Sequence, residues 1–222
     1  MLHAKTNRMT LDIFQTLDDL AEDQLHPKFK LLKNEPTLDG ERQVISSWTE
    51  GFIDRDNKII KEFQSSFHSS FWEFYLFQVF KELGFSIDFS HDRPDFIIND
   101  PVEIYIEAVV SNIRNDGRDE SERELKDIMS MTLPPHLQSD FTELIDESIV
   151  RNSNAILGKS KKYLEKYINL DWIKSEVPFV VSLSSYDQIN YGREYYYSLI
   201  ALLYGLYYDS QARKFEMKET IK

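Results

Sequence analysis

The sequence contains no cysteine and little glycine or proline, with seven of each among 222 residues. The absence of cysteine excludes disulfide bonds, a thiolate nucleophile and metal sites built on sulfur, and it favours a cytoplasmic protein. The low glycine and proline content excludes collagen-like and low-complexity chains. Any bound metal must therefore be held by oxygen or histidine ligands.

Long hydrophobic runs are also missing. The N-terminus, MLHAKTNRMTLDIF, has no continuous apolar stretch, and the most apolar segment, YYYSLIALLYGLYY, has about fourteen residues. A membrane-spanning helix needs roughly 20, so we expect a soluble protein without a membrane partner.

Positive charge is scarce, because 26 Lys and Arg stand against 38 Asp and Glu, which gives a net charge of −12. This balance argues against a protein that coats nucleic acid with its whole surface, but it allows a local basic patch.

Large apolar side chains are abundant, with 41% hydrophobic residues that include 12 Tyr, 15 Phe and 3 Trp. Such a composition is typical of a packed globular domain. Residues 1–60 read as an N-terminal extension with a short helix over 11–20, and residues 61–222 read as the main α/β domain. The C-terminal segment 214–222 alternates like a strand that lacks a partner, which suggests a fragment of a longer protein; a native mass of 26.3 kDa would count against that.

Hydrophobic periodicity predicts the order of elements in the main domain. Three strands of a meander follow a long helix, and a charged segment at about 112–150, interrupted by Pro134 and Pro135, reads as an insertion or lid. The predicted helices are 61–83, 120–131, 139–150, 152–168 and 193–207, and the predicted strands are 85–90, 95–98, 102–110 and 178–184. The prediction is an α/β fold with a mixed central sheet of about four strands flanked by helices.

Three carboxylates occur in apolar surroundings. Asp95 begins a short strand, Glu107 lies within the apolar run 104–110, and Glu73 lies in the most aromatic helix. Neighbouring strands of a hairpin can bring Asp95 and Glu107 to one divalent cation. The alternatives are a turn cap for Asp95, a solvent-facing position on an edge strand for Glu107, and a helix-surface position for Glu73.

One basic cluster stands out in this acidic chain, with five cations against one carboxylate, Glu165, over residues 151–166. On a helical wheel Lys159 borders the apolar face and is placed to reach inward, whereas Lys162 and Lys166 point towards solvent. The cluster comprises Arg151, Lys159, Lys161, Lys162 and Lys166. A solvated helix face is the alternative interpretation.

The segments that carry these residues resemble the PD-(D/E)XK nuclease superfamily, in particular an uncharacterised bacterial branch of it. The resemblance covers roughly residues 64–208 in the same element order. Its motifs are FWEFYLFQVFKELGF, RPDFII, IYIEAVVSN, NSNAILGKSKKY, PFVVSLSSYD and LIALLYG. It implies a restriction endonuclease-like core and a metal-dependent hydrolysis of phosphodiester bonds.

The resemblance also implies roles for individual residues. Asp95 and Glu107, with the backbone carbonyl of Ala108, would hold Mg²⁺ or Mn²⁺, and Glu73 would complete the shell. A lysine normally stands two residues after the glutamate, but this chain has Val109 there. Either Lys159 supplies the ammonium group or the site is inactive. Lys161, Lys162, Lys166 and Arg151 would then contact DNA.

Two functions follow as expectations. The first is a Mg²⁺-dependent nuclease, such as a restriction or defence enzyme, whose basic helix binds DNA. The low pI of about 4.9 weakens this interpretation. The second is an inactive nuclease-fold module that acts in protein interaction or regulation. Its homodimer or protein-partner surface would be the tyrosine-rich C-terminal helix, with Tyr195, Tyr196, Tyr197, Tyr204, Tyr207 and Tyr208.

Overall fold

The computed structural model of the chain describes residues 10–113 and 116–218. The chain forms two compact units. The first contains the residues up to Ala108 together with Tyr167–Ser182, and the second contains Val109–Lys166 and the chain from Leu183 onwards.

The described residues form seven α-helices and six short strands. The helices are α1 (Pro27–Asn34), α2 (Asp39–Trp48), α3 (Ile59–Ser65), α4 (His68–Glu82), α5 (Leu125–Met131), α6 (Phe141–Glu165) and α7 (Tyr195–Tyr204). The strands are β1 (Ser86–Asp88), β2 (Phe96–Asp100), β3 (Ile104–Val110), β4 (Phe179–Ser184), β5 (Leu206–Asp209) and β6 (Lys214–Met217). Within this part of the chain, no helix combines the length and the apolar character needed to cross a membrane.

The central sheet has four strands in the order β1-β2-β3-β4, and the first three form the predicted antiparallel meander. Strand β4 runs parallel to β3. The Tyr105 N–H donates to the Pro178 carbonyl and the Ser111 N–H to the Ser184 carbonyl, so the contacts advance in the same direction along both segments. The mixed α/β fold with a four-stranded sheet is therefore confirmed.

The core of the first unit is aromatic, and the N-terminal segment contributes to it. Phe29, Phe63 and Phe74 are fully buried together with Ile13. The helix predicted over 11–20 is wrong, since this segment consists of turns. The side-chain amide of Gln64 donates to the carbonyls of Ile13 and Gln15 at 3.2 and 2.9 Å, and those bonds hold the turns in place.

The region predicted as one helix over 61–83 contains two helices, α3 and α4, because a positive φ at Phe67 interrupts the α-helical conformation. Phe67 has φ 55°, which is unusual for a residue with a Cβ atom. Its ring is buried and contacts Phe63 and Phe71, with centroids 5.1 and 5.5 Å away. The apolar stripe is continuous in the sequence, so periodicity alone did not reveal the break.

In the second unit the reverse occurs, since the helices predicted at 139–150 and 152–168 are one helix, α6. Its buried side packs on α7 through a small polar network. The Ser148 and Ser198 hydroxyls lie 2.8 Å apart, and the Asn152 amide donates to Ser198 at 3.0 Å. These polar positions interrupt the apolar stripe on which the helix prediction depended.

The C-terminal strand has a partner after all. Gly205 has φ 67° and ends α7 in the left-handed conformation that favours glycine. The chain then enters β5, which pairs antiparallel with β6 in a two-stranded sheet. The prediction of a strand without a partner is therefore wrong, because residues 206–207 were assigned to the preceding helix.

Candidate active site

The β2–β3 pair brings Asp95 and Glu107 together. Phe96 stands opposite Ile106 and Ile97 opposite Tyr105. One residue further along this antiparallel register, Asp95 faces Glu107. Asp95 Oδ2 also accepts a 2.7 Å hydrogen bond from the Ala108 backbone N–H. This bond crosses to the neighbouring strand and orients the half-buried Asp95 carboxylate against β3.

Glu107 lies in the interior of the first unit, with 1% of its surface exposed. The sequence left two interpretations of Glu107 open, a residue of a functional site or a solvent-facing residue on an edge strand. The edge-strand interpretation is wrong, because β3 lies between β2 and β4. The Tyr167 hydroxyl donates to Glu107 Oε1 at 3.3 Å. A buried polar group is costly unless it is hydrogen-bonded, and the Tyr167 hydroxyl offers Glu107 one such donor.

Arg55 stabilises the loop that carries Asp95 through hydrogen bonds. Its guanidinium donates to the backbone carbonyls of His91 at 2.5 Å, Pro94 at 3.3 Å and Asp95 at 2.9 Å. Three backbone carbonyls of one loop thus share a single planar donor group, whose fork geometry suits such contacts.

Trp172 holds the same loop from the segment that follows α6. Its indole N–H donates to the Arg93 carbonyl at 3.1 Å, and the His91 ring stacks on it with centroids 4.2 Å apart. Neither Trp172 nor Arg55 was recognised from the sequence. Each contact joins residues 36 to 81 positions apart, and no local pattern signals such a pairing.

Arg93 supplies fixed positive charge beside the carboxylates. Its guanidinium donates to the Asp92 carboxylate at 2.6 Å. This hydrogen bond is the largest cause that raises the pKa of Arg93, and attraction to Glu107 adds a smaller contribution. Arg93 therefore stays charged next to the pair.

Glu73, the third predicted ligand, lies half-buried on α4. The adjacent Trp72 donates its indole N–H to the Ser182 carbonyl at 2.9 Å, which fixes this turn of the helix against β4. The role of Glu73 as a metal ligand stays a prediction.

In the second unit, Lys159 and Val109 line the same groove, which has a volume of about 770 Å³. Its walls are formed by β3, the residues after β3, and α6. Lys159 is half-buried, whereas Lys161 and Lys166 are exposed. The half-buried position of Lys159 agrees with the inward placement expected for it, and the side chain lines the same groove as Val109.

The rest of the basic cluster is less uniform than predicted. Lys162 is half-buried rather than solvent-facing, and Lys161 lies 3.7 Å from Glu165. Arg151 is buried, and its guanidinium donates to Glu194 at 2.9 Å. A guanidinium buried against a carboxylate does not face a phosphate from solvent, so we reassign Arg151 from nucleic-acid contact to a structural role.

The Arg151–Glu194 pair lies deep in the second unit, with the Glu194 side chain fully buried. Burial raises the pKa of the Glu194 carboxyl, and attraction to Arg151 opposes that rise. Breaking such a pair leaves an uncompensated buried charge, which is strongly destabilising. The pair therefore belongs to the architecture of this unit.

Two histidines that the sequence left unconnected meet in the first unit. The rings of His26 and His68 lie edge to face with centroids 5.3 Å apart. His26 Nδ1 accepts from the Lys28 N–H at 3.2 Å and caps α1. The two rings therefore pack against each other in this unit.

Some tyrosine side chains of the tyrosine-rich C-terminal region are packed, and others are exposed. Tyr195 donates to the Leu183 carbonyl at 3.1 Å and Tyr207 to Asp146 at 3.0 Å. Burial and this bond raise the pKa of Tyr207 to about 12. Tyr196 and Tyr204 are 61% and 68% exposed, so part of this surface faces outward.

No protein-family model, no curated protein and no solved structure matches the chain.

Proposed function

We propose that the protein is a metal-dependent nuclease-like enzyme that hydrolyses phosphodiester bonds. The observation that supports this most directly is the pairing of Asp95 with Glu107 across β2 and β3, where the Ala108 N–H orients one carboxylate and the Tyr167 hydroxyl contacts the other. Two carboxylates on adjacent strands form a donor set that suits a hard divalent cation.

The donor set fits Mg²⁺ or Mn²⁺, which prefer oxygen ligands. Asp95 and Glu107 would hold the cation, with Glu73 and the Ala108 carbonyl as further ligands. When bound, such a cation neutralises charge on a phosphate and lowers the pKa of a coordinated water.

The chain's own residues would position the metal ligands and supply positive charge. The Ala108 N–H and the Tyr167 hydroxyl contact the two carboxylates, and Arg55 stabilises the loop that carries Asp95. This proposal assigns the part of the lysine that Val109 replaces to Lys159, which lines the same groove as Val109. Lys161 and Lys162 in α6, and Lys166 directly after it, would contribute positive charge for a nucleic-acid backbone.

The first test measures Mg²⁺ and Mn²⁺ binding by calorimetry on the wild type and on Asp95→Asn/Glu107→Gln, which keeps side-chain shape and removes charge. Glu103→Gln is the matched control, since Glu103 immediately precedes β3 and pairs with Lys174 on the surface. We expect binding to be lost only in the double variant. Incubation with plasmid, single-stranded DNA and RNA then shows whether binding leads to metal-dependent cutting. Absence of binding in the folded wild type would contradict the proposal.

A second function, an inactive nuclease-fold module for protein interaction or regulation, is favoured by Val109. Valine can neither donate a hydrogen bond nor carry charge, so the chain lacks the lysine of the motif at its usual place. The exposed Tyr196 and Tyr204 would then offer contact area to a protein partner or a second copy.

Val109→Lys separates the two functions. Val109 is half-buried and lines the groove of about 770 Å³, which leaves room for the longer side chain. If the protein is an inactive module, the variant should gain metal-dependent cutting that the wild type lacks. If Lys159 already acts, Lys159→Met should abolish cutting, and Val109→Lys should restore at least part of it.

A further inference from the structure

A groove of about 460 Å³ lies in the first unit, and none of its lining residues belongs to the proposed metal site. It is lined by α2 and by the first turn of α4, through Gly40, Glu41, Val44, Ile45, Trp48 and Phe71. The four side chains from α2 follow a spacing of three and four residues, so they share one face of the helix. Two helical turns separate Glu41 from Trp48, which is about 10 Å along the axis.

The apolar end of the groove is held in place by its neighbours. The Trp48 and Phe71 rings lie with centroids 5.6 Å apart, and both pack on the core of the first unit. The Lys81 ammonium on α4 donates to the Ser47 and Glu50 carbonyls at 3.3 and 3.2 Å, which fixes the end of α2 against α4. The groove is therefore formed before a ligand binds, as small-molecule sites usually are.

Glu41 supplies the charge at the other end, and it is the one charged side chain among the described residues that line the groove. Asp39, in the same helical turn, is bonded to Arg42 and Gln43 at 3.0 and 2.7 Å. The exposed Glu41 carboxylate, by contrast, has no hydrogen bond or ion pair with any residue in 10–113 and 116–218. It can pair with a cation from solution without giving up a partner in that part of the chain.

Gly40 widens the groove beside this carboxylate. Its φ is not positive, so the backbone does not require glycine there, and an added Cβ meets nothing within 4 Å. Glycine weakens a helix relative to alanine. Neither backbone conformation nor packing accounts for this glycine, whereas the open space beside Glu41 does.

The chemistry of the lining defines the ligand. Small-molecule sites are mostly apolar and carry a few polar groups that fix orientation. Here apolar side chains extend over about 10 Å and end at one carboxylate. The ligand that matches has an apolar body of about that length and a positive charge at one end. The net charge of −12 also favours a cation over an anion.

We infer that this groove binds an amphipathic organic cation of the alkylammonium class. The ammonium group pairs with Glu41, and the alkyl chain lies along Val44 and Ile45 towards Trp48 and Phe71. The inference does not depend on the proposed metal site.

The test is calorimetric titration of the full chain with octylammonium, octanol and octanoate, which share one alkyl chain and differ in the charge of the head group. We expect octylammonium to bind most tightly and octanoate most weakly. An exposed ion pair changes affinity by about 1.5- to 5-fold. Glu41→Gln should weaken octylammonium binding by that factor and leave octanol binding unchanged.

Glu62→Gln is the matched control, since Glu62 is an exposed glutamate on α3 that does not line the groove. It should alter none of the three affinities. Val44→Ser should weaken all three, because Val44 is an apolar wall that is 51% exposed and can be changed without unfolding the unit. Gly40→Ala should raise the melting temperature yet weaken octylammonium binding, a combination that a purely structural role for Gly40 would not produce.

Failure of octylammonium to bind the folded wild type would overturn the inference, as would equal affinities for octylammonium and octanoate. Equal effects of Glu41→Gln and Glu62→Gln would also overturn it. Sedimentation of the wild type tests a second copy of the chain as the occupant. A dimer that Val44→Ser dissociates would assign the groove to that contact and not to an organic cation.

Discussion

Replacing Arg55 with methionine should both destabilise the first unit and disorder the loop that presents Asp95. The guanidinium donates to three carbonyls of one loop, at 2.5, 3.3 and 2.9 Å. Methionine keeps most of the apolar stem and removes every donor. The three carbonyls must then find water or lose their partners.

The size of the loss follows from the bonds. A hydrogen bond that involves a charged group contributes about 1.5–3 kcal/mol, and less where solvent can replace it. Two of the three bonds are short and the site is only partly buried, so we expect the free energy of unfolding to fall by about 2–4 kcal/mol. At the proposed metal site, affinity should fall about 10-fold, which is typical when a group that supports a metal ligand is removed.

Arg42→Met is the control because Arg42 also donates to two carbonyls of the first unit, those of Leu32 and Glu35, at 2.7 and 2.9 Å. Urea unfolding followed by circular dichroism gives both stabilities, and calorimetry gives both Mg²⁺ affinities. The control should lose similar stability and keep its metal affinity within about twofold. Equal metal affinities in the two variants, or an Arg55→Met protein as stable as the wild type, would refute the reasoning.

Two further predictions concern the second unit. The hydrogen bond from Arg118 lowers the pKa of Asp127 from its ordinary value of 3.8 to about 2. Because the folded pKa lies below the unfolded one, this contribution to stability is present above the unfolded value and is lost as the pH falls through about 2. The stability difference between wild type and Asp127→Asn, measured by urea unfolding, should therefore shrink across that range; a constant difference would contradict the assignment. Gly158→Ala should raise the free energy of unfolding by about 0.5–1 kcal/mol, because glycine is a poor helix former and an added Cβ meets nothing within 4 Å. A melting temperature below that of the wild type would contradict this expectation.

Local patterns predicted the sheet well. Alternation of apolar and polar residues over 85–90 and 102–110 identified β1 and β3, and a short apolar run identified β4. Strands can be recognised in this way because successive side chains point to opposite faces of the sheet. Asp95 and Glu107 drew attention for the same reason, since a carboxylate in an apolar strand is unusual. That they face each other follows from the hairpin register, which the turn and the buried pattern together determine.

Helix boundaries were harder to predict. The apolar stripe of 61–83 continues through Phe67, yet the helix is interrupted there. The apolar stripe of α6 is interrupted by Ser148 and Asn152, yet the helix continues. Periodicity reports which side chains face a core. It does not report whether the backbone bends to reach that core or whether polar groups find partners inside it.

The sequence by itself determined the class of fold and the antiparallel meander of the first three central strands, and it singled out Asp95 and Glu107 as candidate metal ligands. The tertiary structure alone decided that Glu107 is buried in an inner strand, that Tyr167 contacts it, and that Arg55 holds the Asp95 loop. The physical reason is that spacing along a chain encodes local periodicity, whereas contacts 40 and 60 residues apart depend on how all the elements pack.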